Sequence, residues 1–273
     1  MGPRRRRGAR PAGRRTPDVE HIEERSAPSG TGGEAGAASP VEAARSCLTR
    51  SSVCLMSPAS VREHLGADDE AWARFAAHWD ELGEDRYAAE RGTRRLRRYG
   101  QFALTPATGE LERLPHTPFV QPEDTNPLYE AVDRDFEPLT DTFAADPLLR
   151  PLFDLLAQAA AALDDAGRWI VKVHPFRVVA TAGDEGNPTP EGRHRDGVTL
   201  VSSLLVNREN AVGGQSCVYT LDGRELLCTT LHRPGSLLMS DDRDSLHCVS
   251  PIRPMDITAP AYRDVLVTTL TAA

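Results

Sequence analysis

The chain has 273 residues with a formal net charge of -8, and 40% of its residues are hydrophobic, which suits one folded domain of ordinary size. The acidic balance argues against nucleic acid as the main partner, and no stretch approaches the roughly 20 apolar residues of a membrane span. The five cysteines show no CxxC spacing. We therefore expect free thiols in a reducing cytoplasm, not a disulfide framework or a zinc site.

The first part of the chain differs in composition from the rest. Arginines dominate residues 4–15, and Gly, Ala, Ser and Pro follow them. Such a segment cannot bury enough apolar surface to offset its chain entropy. No apolar run follows the arginines, so a secretory signal is not expected. We predict a disordered tail over residues 1–55 and a single folded domain over residues 56–273.

Helical spacing of apolar residues marks the first half of the domain. In residues 68–82, tryptophan, phenylalanine and leucine side chains recur on one helical face, and Gly83 suits the helix end. Residues 148–162 show a second amphipathic pattern. Between them, residues 94–104 alternate as in a strand that carries several arginines on one side.

Short apolar or alternating segments, separated by Gly and Pro turns, fill the second half. Leu221-Asp222-Gly223-Arg224 between two apolar runs indicates a hairpin, because Gly tolerates positive φ. The predicted strands are 169–181, 198–207, 216–221, 226–231, 236–239 and 265–270. Helices first and many strands later predict an α+β chain with a double-sheet, cupin-like jelly roll and N-terminal helices packed on one sheet.

The segment Gly192-Arg193-His194-Arg195-Asp196-Gly197 carries the most specific chemistry. Positions i and i+2 of a strand point to the same face, so His194 and Asp196 can offer an imidazole nitrogen and a carboxylate oxygen to one cation. In a jelly roll, His247 can return on a neighbouring strand as a third ligand. Two histidines and one carboxylate form the facial triad of iron(II) oxygenases, which leaves open positions on the metal. We predict His194, Asp196 and His247 as metal ligands and catalytic centre.

Arg263 stands at the start of an apolar strand downstream of this triad. An arginine there can direct two donors onto the distal carboxylate of an oxo-acid. By itself, such an arginine more often pairs with a surface acid. Beside the triad, we predict that Arg263 binds the oxo-acid.

These motifs resemble the bacterial 2-oxoglutarate/iron(II) oxygenases that include the L-isoleucine hydroxylases. The matching segments are residues 173–177, 194–197, 213–216, 241–242, 247–252 and 262–267, with weaker likeness upstream from residue 94. The resemblance implies a double-stranded β-helix core, iron(II) on the triad, 2-oxoglutarate on Arg263 and O2 as a further co-substrate. It also implies hydroxylation of an aliphatic C–H in a free L-amino acid or cyclic imino acid, such as isoleucine, leucine, proline or pipecolate. Arg193 and Arg195, which flank the first ligand, depart from the family pattern.

A zwitterionic substrate needs a cation for its carboxylate and an acceptor for its amine. Arg177 matches a family position and is one candidate for the carboxylate, and Arg98 is another. Gln121 is a candidate from the loop that follows. Arg98 has the alternative of being solvated, and Gln121 that of stabilising its loop. His174 is expected in the core or behind the site, not as a ligand.

Other functions stay open at this point. One is a cupin-type metal enzyme that does not use 2-oxoglutarate, and another is oxidation of a carrier-bound or peptidyl amino acid. A third is an interaction or nucleic-acid-associated protein in which the basic tail binds and the jelly roll is silent. Basic residues are almost all arginine, which is typical of a GC-rich genome and makes bacterial specialised metabolism a fitting context.

Overall fold

Antiparallel strands dominate the second half of the chain in the computed structural model, which describes residues 38–120 and 133–273. The helices are α1 (Pro40–Ser51), α2 (Pro58–Leu65), α3 (Asp69–Ala77), α4 (Arg86–Ala89), α5 (Asp141–Ala144) and α6 (Leu149–Ala160), with a 3-10 helix over His78–Glu81. The strands are β1 (Val53–Met56), β2 (Gly83–Glu84), β3 (Arg95–Arg97), β4 (Gly100–Thr105), β5 (Glu110–Arg113), β6 (Trp169–Ala180), β7 (Leu200–Glu209), β8 (Ala211–Gly213), β9 (Gln215–Thr220), β10 (Glu225–Thr230), β11 (Leu237–Asp241), β12 (Ser245–Val249), β13 (Ile252–Pro254) and β14 (Ala261–Ala272).

Two sets of strands make the predicted jelly roll. The larger sheet has the order β1-β11-β7-β14-β6-β3-β2, with β4 and β5 attached beside β6. The smaller sheets are β10-β9-β12 and β13-β8. Leu205 and Val265 of the large sheet share an apolar cluster with Val218 of β9, so the two sets of strands face each other. The predicted α+β class and jelly-roll core are confirmed.

The helices cover the other face of the large sheet. Leu152 and Leu156 of α6 lie in one core cluster with Phe75 of α3 and with Val171 and Leu266 of the sheet. The predicted helix at 68–82 occurs as α3 followed by the 3-10 helix. Its Trp79 donates a hydrogen bond from Nε1 to the carbonyl of Phe176 at 2.9 Å, which ties this layer to the sheet. The predicted packing of N-terminal helices on one sheet is therefore confirmed.

The structure corrects the predicted end of the N-terminal tail. Residues 40–55 are ordered as α1 and β1, and β1 pairs with β11 at the edge of the large sheet. Val41, Ala44 and Leu48 recur at helical spacing and are buried against the core. Three small or medium apolar residues suffice for this helix because α6 supplies the rest of its interface, a contribution that composition does not reveal. Residues 1–37 lie outside the described residues, and their disorder stays a prediction.

The cysteine prediction is also corrected at one pair. Cys217 of β9 and Cys228 of β10 stand directly opposite each other and form a disulfide, whereas Cys47, Cys54 and Cys248 are free. The hairpin register creates this pair, and sequence spacing alone does not show register. Among the described helices, none is both long and apolar enough to cross a membrane.

Candidate metal centre and cavity

Backbone pairing brings the three predicted ligands together. The N–H of His194 donates to the carbonyl of His247 at 3.1 Å, and the N–H of His247 donates to the carbonyl of His194 at 2.8 Å. This places the two imidazole centroids 4.3 Å apart. One ligand atom each from His194, Asp196 and His247 lies within 4.8 Å of the others. The return of residue 247 beside the 194/196 pair is as predicted.

The imidazoles are oriented so that Nε2 is the ligating nitrogen. Nδ1 of His194 lies 3.0 Å from the carbonyl of Gly192, and because a carbonyl only accepts, Nδ1 carries the proton. The lone pair of Nε2 is then free for a metal. Nε2 of His247 lies 3.6 Å from Oδ2 of Asp196. Desolvation, with the neighbouring His194, lowers the pKa of His247 to about 4, which favours the neutral, ligating form. The donor set fits iron(II).

Asp242 connects both halves of this centre. Its buried carboxylate accepts hydrogen bonds from the backbone N–H groups of Asp196, Gly197 and Val198 at 2.7 to 3.1 Å. Its Oδ1 also lies 3.6 Å from Nδ1 of His247. Desolvation and the adjacent Asp196 carboxylate raise the pKa of Asp242 to about 7. A divalent cation bound at this site would reduce the repulsion between the two carboxylates. Sequence reasoning met Asp242 only as part of a matching segment and assigned it no role.

A cavity between the sheets opens beside the centre. Alternate residues of β6 and β14 line it, as the two-residue period of a strand requires. Strand register places Arg263 opposite Val178 at one end of this wall and Thr269 opposite Lys172 at the other. His194, Asp196 and His247 belong to the same lining. Any molecule in the cavity therefore lies next to the metal centre.

Arg263 is a buried cation that faces the cavity. Its exposure is 2%, and Nε has no hydrogen-bond partner in the described part of the chain. Nη2 reaches the hydroxyl of Ser216 at 3.4 Å, and no ion pair with a described acid occurs. Burial, with Arg208 nearby, lowers the pKa of Arg263 to about 10. Arg263 therefore does not pair with a surface acid among the described residues. A buried cation of this kind can be neutralised by an anionic ligand.

Gly214 gives Arg263 the space that it occupies. A Cβ at Gly214 would lie 3.2 Å from Cδ of Arg263 and 2.9 Å from Cγ2 of Ile252, and the glycine has a φ of +67°. The sequence indicated only a turn at Gly213-Gly214. The structure adds a close approach to the predicted oxo-acid site, for which a side chain is too large.

Two of the predicted substrate contacts lie elsewhere. Arg177 forms a two-pronged ion pair with Asp264 at 2.8 Å and a further one with Asp80 at 3.0 Å. Arg98 donates to the carbonyls of Glu81 and Pro138 and pairs with Glu137. Neither lines the cavity. Successive side chains of a strand point to opposite faces. Phe176 and Arg97 face the cavity, so their neighbours Arg177 and Arg98 face away from it. The predicted role of Arg177 and Arg98 in binding substrate is therefore corrected, and Gln121 lies outside the described residues.

Of the cations that line the cavity, sequence reasoning identified only Arg263. Arg95 and Arg97 of β3, Lys172 of β6 and Arg134 also belong to the lining, and buried Asp85 pairs with Arg95 at 2.8 Å. Nη2 of Arg97 lies 2.7 Å from Nδ1 of His174. A guanidinium only donates, so Nδ1 accepts and Nε2 carries the proton. Burial and the surrounding cations lower the pKa of His174 well below its usual range. The sequence contained a signal for this difference, because two-residue alternation places Arg95 and Arg97 on one face of the strand and Arg98 on the other.

Comparisons with known proteins agree with this geometry. A family model described as 2OG-Fe dioxygenase matches residues 76–269. The 3(1)-hydroxy-L-isoleucine 4-dioxygenase of Pantoea ananatis is 26% identical over 165 residues, which are 59% of this chain and 66% of that protein, just under two thirds of its length. Among solved structures, a BsmA homologue from Methylobium petroleophilum PM1 is 33% identical, with a TM-score of 0.78 over 85% of this chain and 93% of that chain. IDO from Bacillus thuringiensis, 17% identical, has a TM-score of 0.69 over 89% of this chain and 99% of that chain, a likeness in fold.

Proposed function

Because the chain belongs to the 2-oxoglutarate–iron dioxygenase family, we propose that it hydroxylates an aliphatic C–H bond in a free L-amino acid or cyclic imino acid. The reaction uses iron(II), 2-oxoglutarate and O2. The observation that carries the proposal is the convergence of His194, Asp196 and His247 beside a cavity that also contains the buried Arg263, which has no acidic partner among the described residues. A context in bacterial specialised metabolism fits the arginine-dominated composition and is part of the proposal.

The residues of the chain have separable tasks in this reaction. Iron(II), when bound, supplies the redox chemistry and the open positions that the keto acid and O2 need. His194, Asp196 and His247 hold it, and Asp242 keeps Asp196 and His247 in place. Arg263 donates hydrogen bonds to the distal carboxylate of 2-oxoglutarate. The valines of the lining exclude water and leave an apolar surface for an aliphatic side chain.

The inward cations support an amino acid as the substrate. Arg97 and Lys172 take over the role that the sequence suggested for Arg177, because both line the cavity. Burial lowers the pKa of Lys172, while Asp196 opposes this effect. An α-carboxylate between these cations gains charge-assisted hydrogen bonds in a partly dry site. The Pantoea relative, named for a hydroxylated isoleucine, supports an isoleucine- or leucine-like skeleton, with proline- and pipecolate-like imino acids next.

The test is a substrate screen with the full chain. Protein loaded with iron(II) and 2-oxoglutarate is incubated in air with isoleucine, leucine, proline and pipecolate, and mass spectrometry follows succinate and the gain of one oxygen atom. We expect one skeleton to gain oxygen in step with succinate, and Asp196→Ala to abolish both. Absence of metal binding, or full turnover by Asp196→Ala, would refute the proposal. Oxidation of carrier-bound but not free amino acids would replace the free substrate by the bound one.

A further inference from the structure

Glu191 is a carboxylate in the cavity whose partner is missing. Its side chain is 9% exposed, and it contributes to the cavity lining three residues before His194. Oε2 is buried and has no hydrogen-bond partner within 38–120 and 133–273. A buried carboxylate is unfavourable unless it is paired or hydrogen-bonded. This side chain therefore points to a ligand that supplies positive charge.

The other oxygen of Glu191 has no donor either. Oε1 lies 3.3 Å from Nε2 of His194, but Nδ1 of that ring donates to Gly192 at 3.0 Å. In the neutral, metal-ligating ring, Nε2 holds a lone pair and has no proton to give. The contact between Oε1 and Nε2 is then between two acceptors. Both oxygens of Glu191 are open to a donor from the cavity.

The metal itself is not the missing partner. The group of ligand atoms that lie within 4.8 Å of one another contains His194, Asp196 and His247, and Glu191 is outside it. Among the described residues, the only ion-pair contact of Glu191 is the one with His194, so no cavity arginine or lysine satisfies it. Arg95 is instead paired with Asp85 at 2.8 Å and donates to the carbonyl of Pro188 at 3.2 Å. A donor from a bound molecule remains.

The local backbone holds Glu191 in this direction. The hydroxyl of Thr189 donates to the carbonyl of Val249 at 3.0 Å and accepts from its N–H at 2.9 Å, which anchors the turn to β12. The N–H of Gly192 donates to the carbonyl of Thr189 at 3.0 Å and closes the turn, and Gly192 has a φ of +77°.

Only two carboxylates of the described residues line the cavity, Asp196 and Glu191. With Asp196 committed to the metal, Glu191 is left for the ligand.

We propose that Glu191 binds the protonated α-amino group of the substrate and so determines specificity for a free amine. The proposal rests on the proposed function and names one recognition element of that site. Cations on β3 and β6 take the carboxylate, and Glu191 takes the ammonium beside the first metal ligand. An acylated amine or a hydroxyl in place of the amine carries no positive charge, so a substrate with either group cannot form an ion pair with Glu191.

The experiment compares two probes with the same skeleton. L-Isoleucine and 2-hydroxy-3-methylpentanoic acid are titrated calorimetrically into the full chain loaded with Mn(II) and 2-oxoglutarate, without O2. We expect the wild type to prefer the amino acid by roughly 30-fold or more, the effect of one buried charge pair. Glu191→Gln keeps the shape and loses the charge, and we expect its preference to fall to within about 3-fold through weaker amino acid binding. Glu185→Gln, an exposed glutamate paired with Arg253, is the matched control and should retain the preference.

Two further measurements separate the possible outcomes. The Mn(II) affinity of Glu191→Gln should equal that of the wild type, and a loss of more than about 10-fold would make Glu191 a metal ligand and overturn the proposal. The unmutated protein should also reject N-acetyl-L-isoleucine, and binding of it as tightly as of isoleucine would overturn the proposal without any variant. If the protein oxygenates isoleucine and Glu191→Gln keeps the preference for the amino acid, this inference alone is refuted. A Glu191-dependent preference without oxygenation of any amino acid would instead refute the proposed reaction.

Discussion

At the scale of single residues, hydrogen bonds orient the side chains of the candidate metal centre. Backbone N–H groups of residues 196–198 all donate to one carboxylate, that of Asp242. The two histidines differ, since Nδ1 of His194 donates to a carbonyl, whereas Nδ1 of His247 lies 3.6 Å from Oδ1 of Asp242 and has no hydrogen-bond partner among the described residues. Partners behind metal ligands set the ring orientation and the basicity of the ligating nitrogen. Asp242 would therefore act on a bound metal through Asp196 and His247.

Asp242→Asn should lower the metal affinity by about 10- to 100-fold, because an amide has a single acceptor oxygen and no charge to offer to three N–H groups and an imidazole. Calorimetric titration of metal-free protein with Mn(II) measures this, and circular dichroism verifies that the fold is kept. Asp244→Asn, on an exposed aspartate two positions on, is the control and should bind metal normally. Unchanged affinity in Asp242→Asn would show that Asp242 only supports the loop.

Arg263→Ala should lose binding of 2-oxoglutarate by roughly 30-fold or more while it keeps Mn(II), because this buried guanidinium lines the cavity and its Nε has no hydrogen-bond partner among the described residues. Titration of 2-oxoglutarate into the Mn(II)-loaded protein measures the effect. Arg253→Ala, whose side chain is 67% exposed, is the control. Retention of 2-oxoglutarate binding by Arg263→Ala would show that another group binds this co-substrate, and absence of binding by the unmutated protein would favour the cupin-type enzyme that does not use it.

At the scale of secondary-structure elements, strand register decides which side chains reach the cavity. β3 pairs with β6 so that Arg95 lies opposite Val178 and Arg97 opposite Phe176. This register turns two arginines inward, and the 0% exposed Asp85 next to β3 compensates their charge. Burial opposes ionisation of Asp85, but Arg95 and Arg97 prevail and lower its pKa. The short strand β3 is thus stabilised by an ion cluster that also shapes the substrate end of the cavity.

Asp85→Ala should destabilise the protein by about 3–5 kcal/mol, because it leaves two buried guanidiniums without their carboxylate. Urea denaturation at pH 7 measures the loss in free energy of unfolding. A lowered folded-state pKa means that this stabilisation is present above the unfolded pKa of about 3.9 and is lost as the pH falls through the folded value. The difference between wild type and variant should therefore shrink at acid pH. Glu70→Ala, which breaks an exposed pair with Arg74, should cost less than about 1 kcal/mol, and an equal loss in both variants would contradict the argument.

At the scale of the whole described unit, one sheet separates two environments. Its helical side is a continuous apolar core, and its other side holds the cavity, whose lining combines charged side chains with valines. β6 and β14 serve both sides at once, since Val171 and Leu266 face the helices while Lys172 and Val265 face the cavity. Helix α1 completes the core, although sequence composition grouped it with the tail. Stability and chemistry are therefore carried by opposite faces of the same strands.

Leu48→Ala should lower the free energy of unfolding by about 2–5 kcal/mol, because this α1 side chain is 1% exposed and its truncation leaves a cavity against α6. Leu55→Ala in the adjoining strand, where the side chain is 45% exposed, should change it by less than about 0.5 kcal/mol. Denaturant titration compares the two. Equal, small effects would mean that α1 adds little to the core.

The sequence by itself determined the elements and the kinds of ligand. Two-residue alternation and turn residues located most strands, and the His-x-Asp pair with a later histidine predicted three metal ligands whose side chains the fold brings together. These inferences succeed because they depend on local spacing, which a strand or helix converts directly into a shared face. Arg263 was assigned to the oxo-acid because it stands at a strand start downstream of the triad, and its place in the cavity lining agrees with that assignment.

Only the tertiary structure decided which neighbours meet. It turned Arg95 and Arg97 inward and Arg98 and Arg177 outward, placed Asp242 behind two ligands, joined Cys217 to Cys228 and gave α1 its partner in α6. A shift of one residue in register moves every side chain of a strand to the other face, and register is set by pairing with strands far away in the chain. Burial then decides which of these groups needs a partner, so the open carboxylate of Glu191 becomes visible only when the walls around it are assembled.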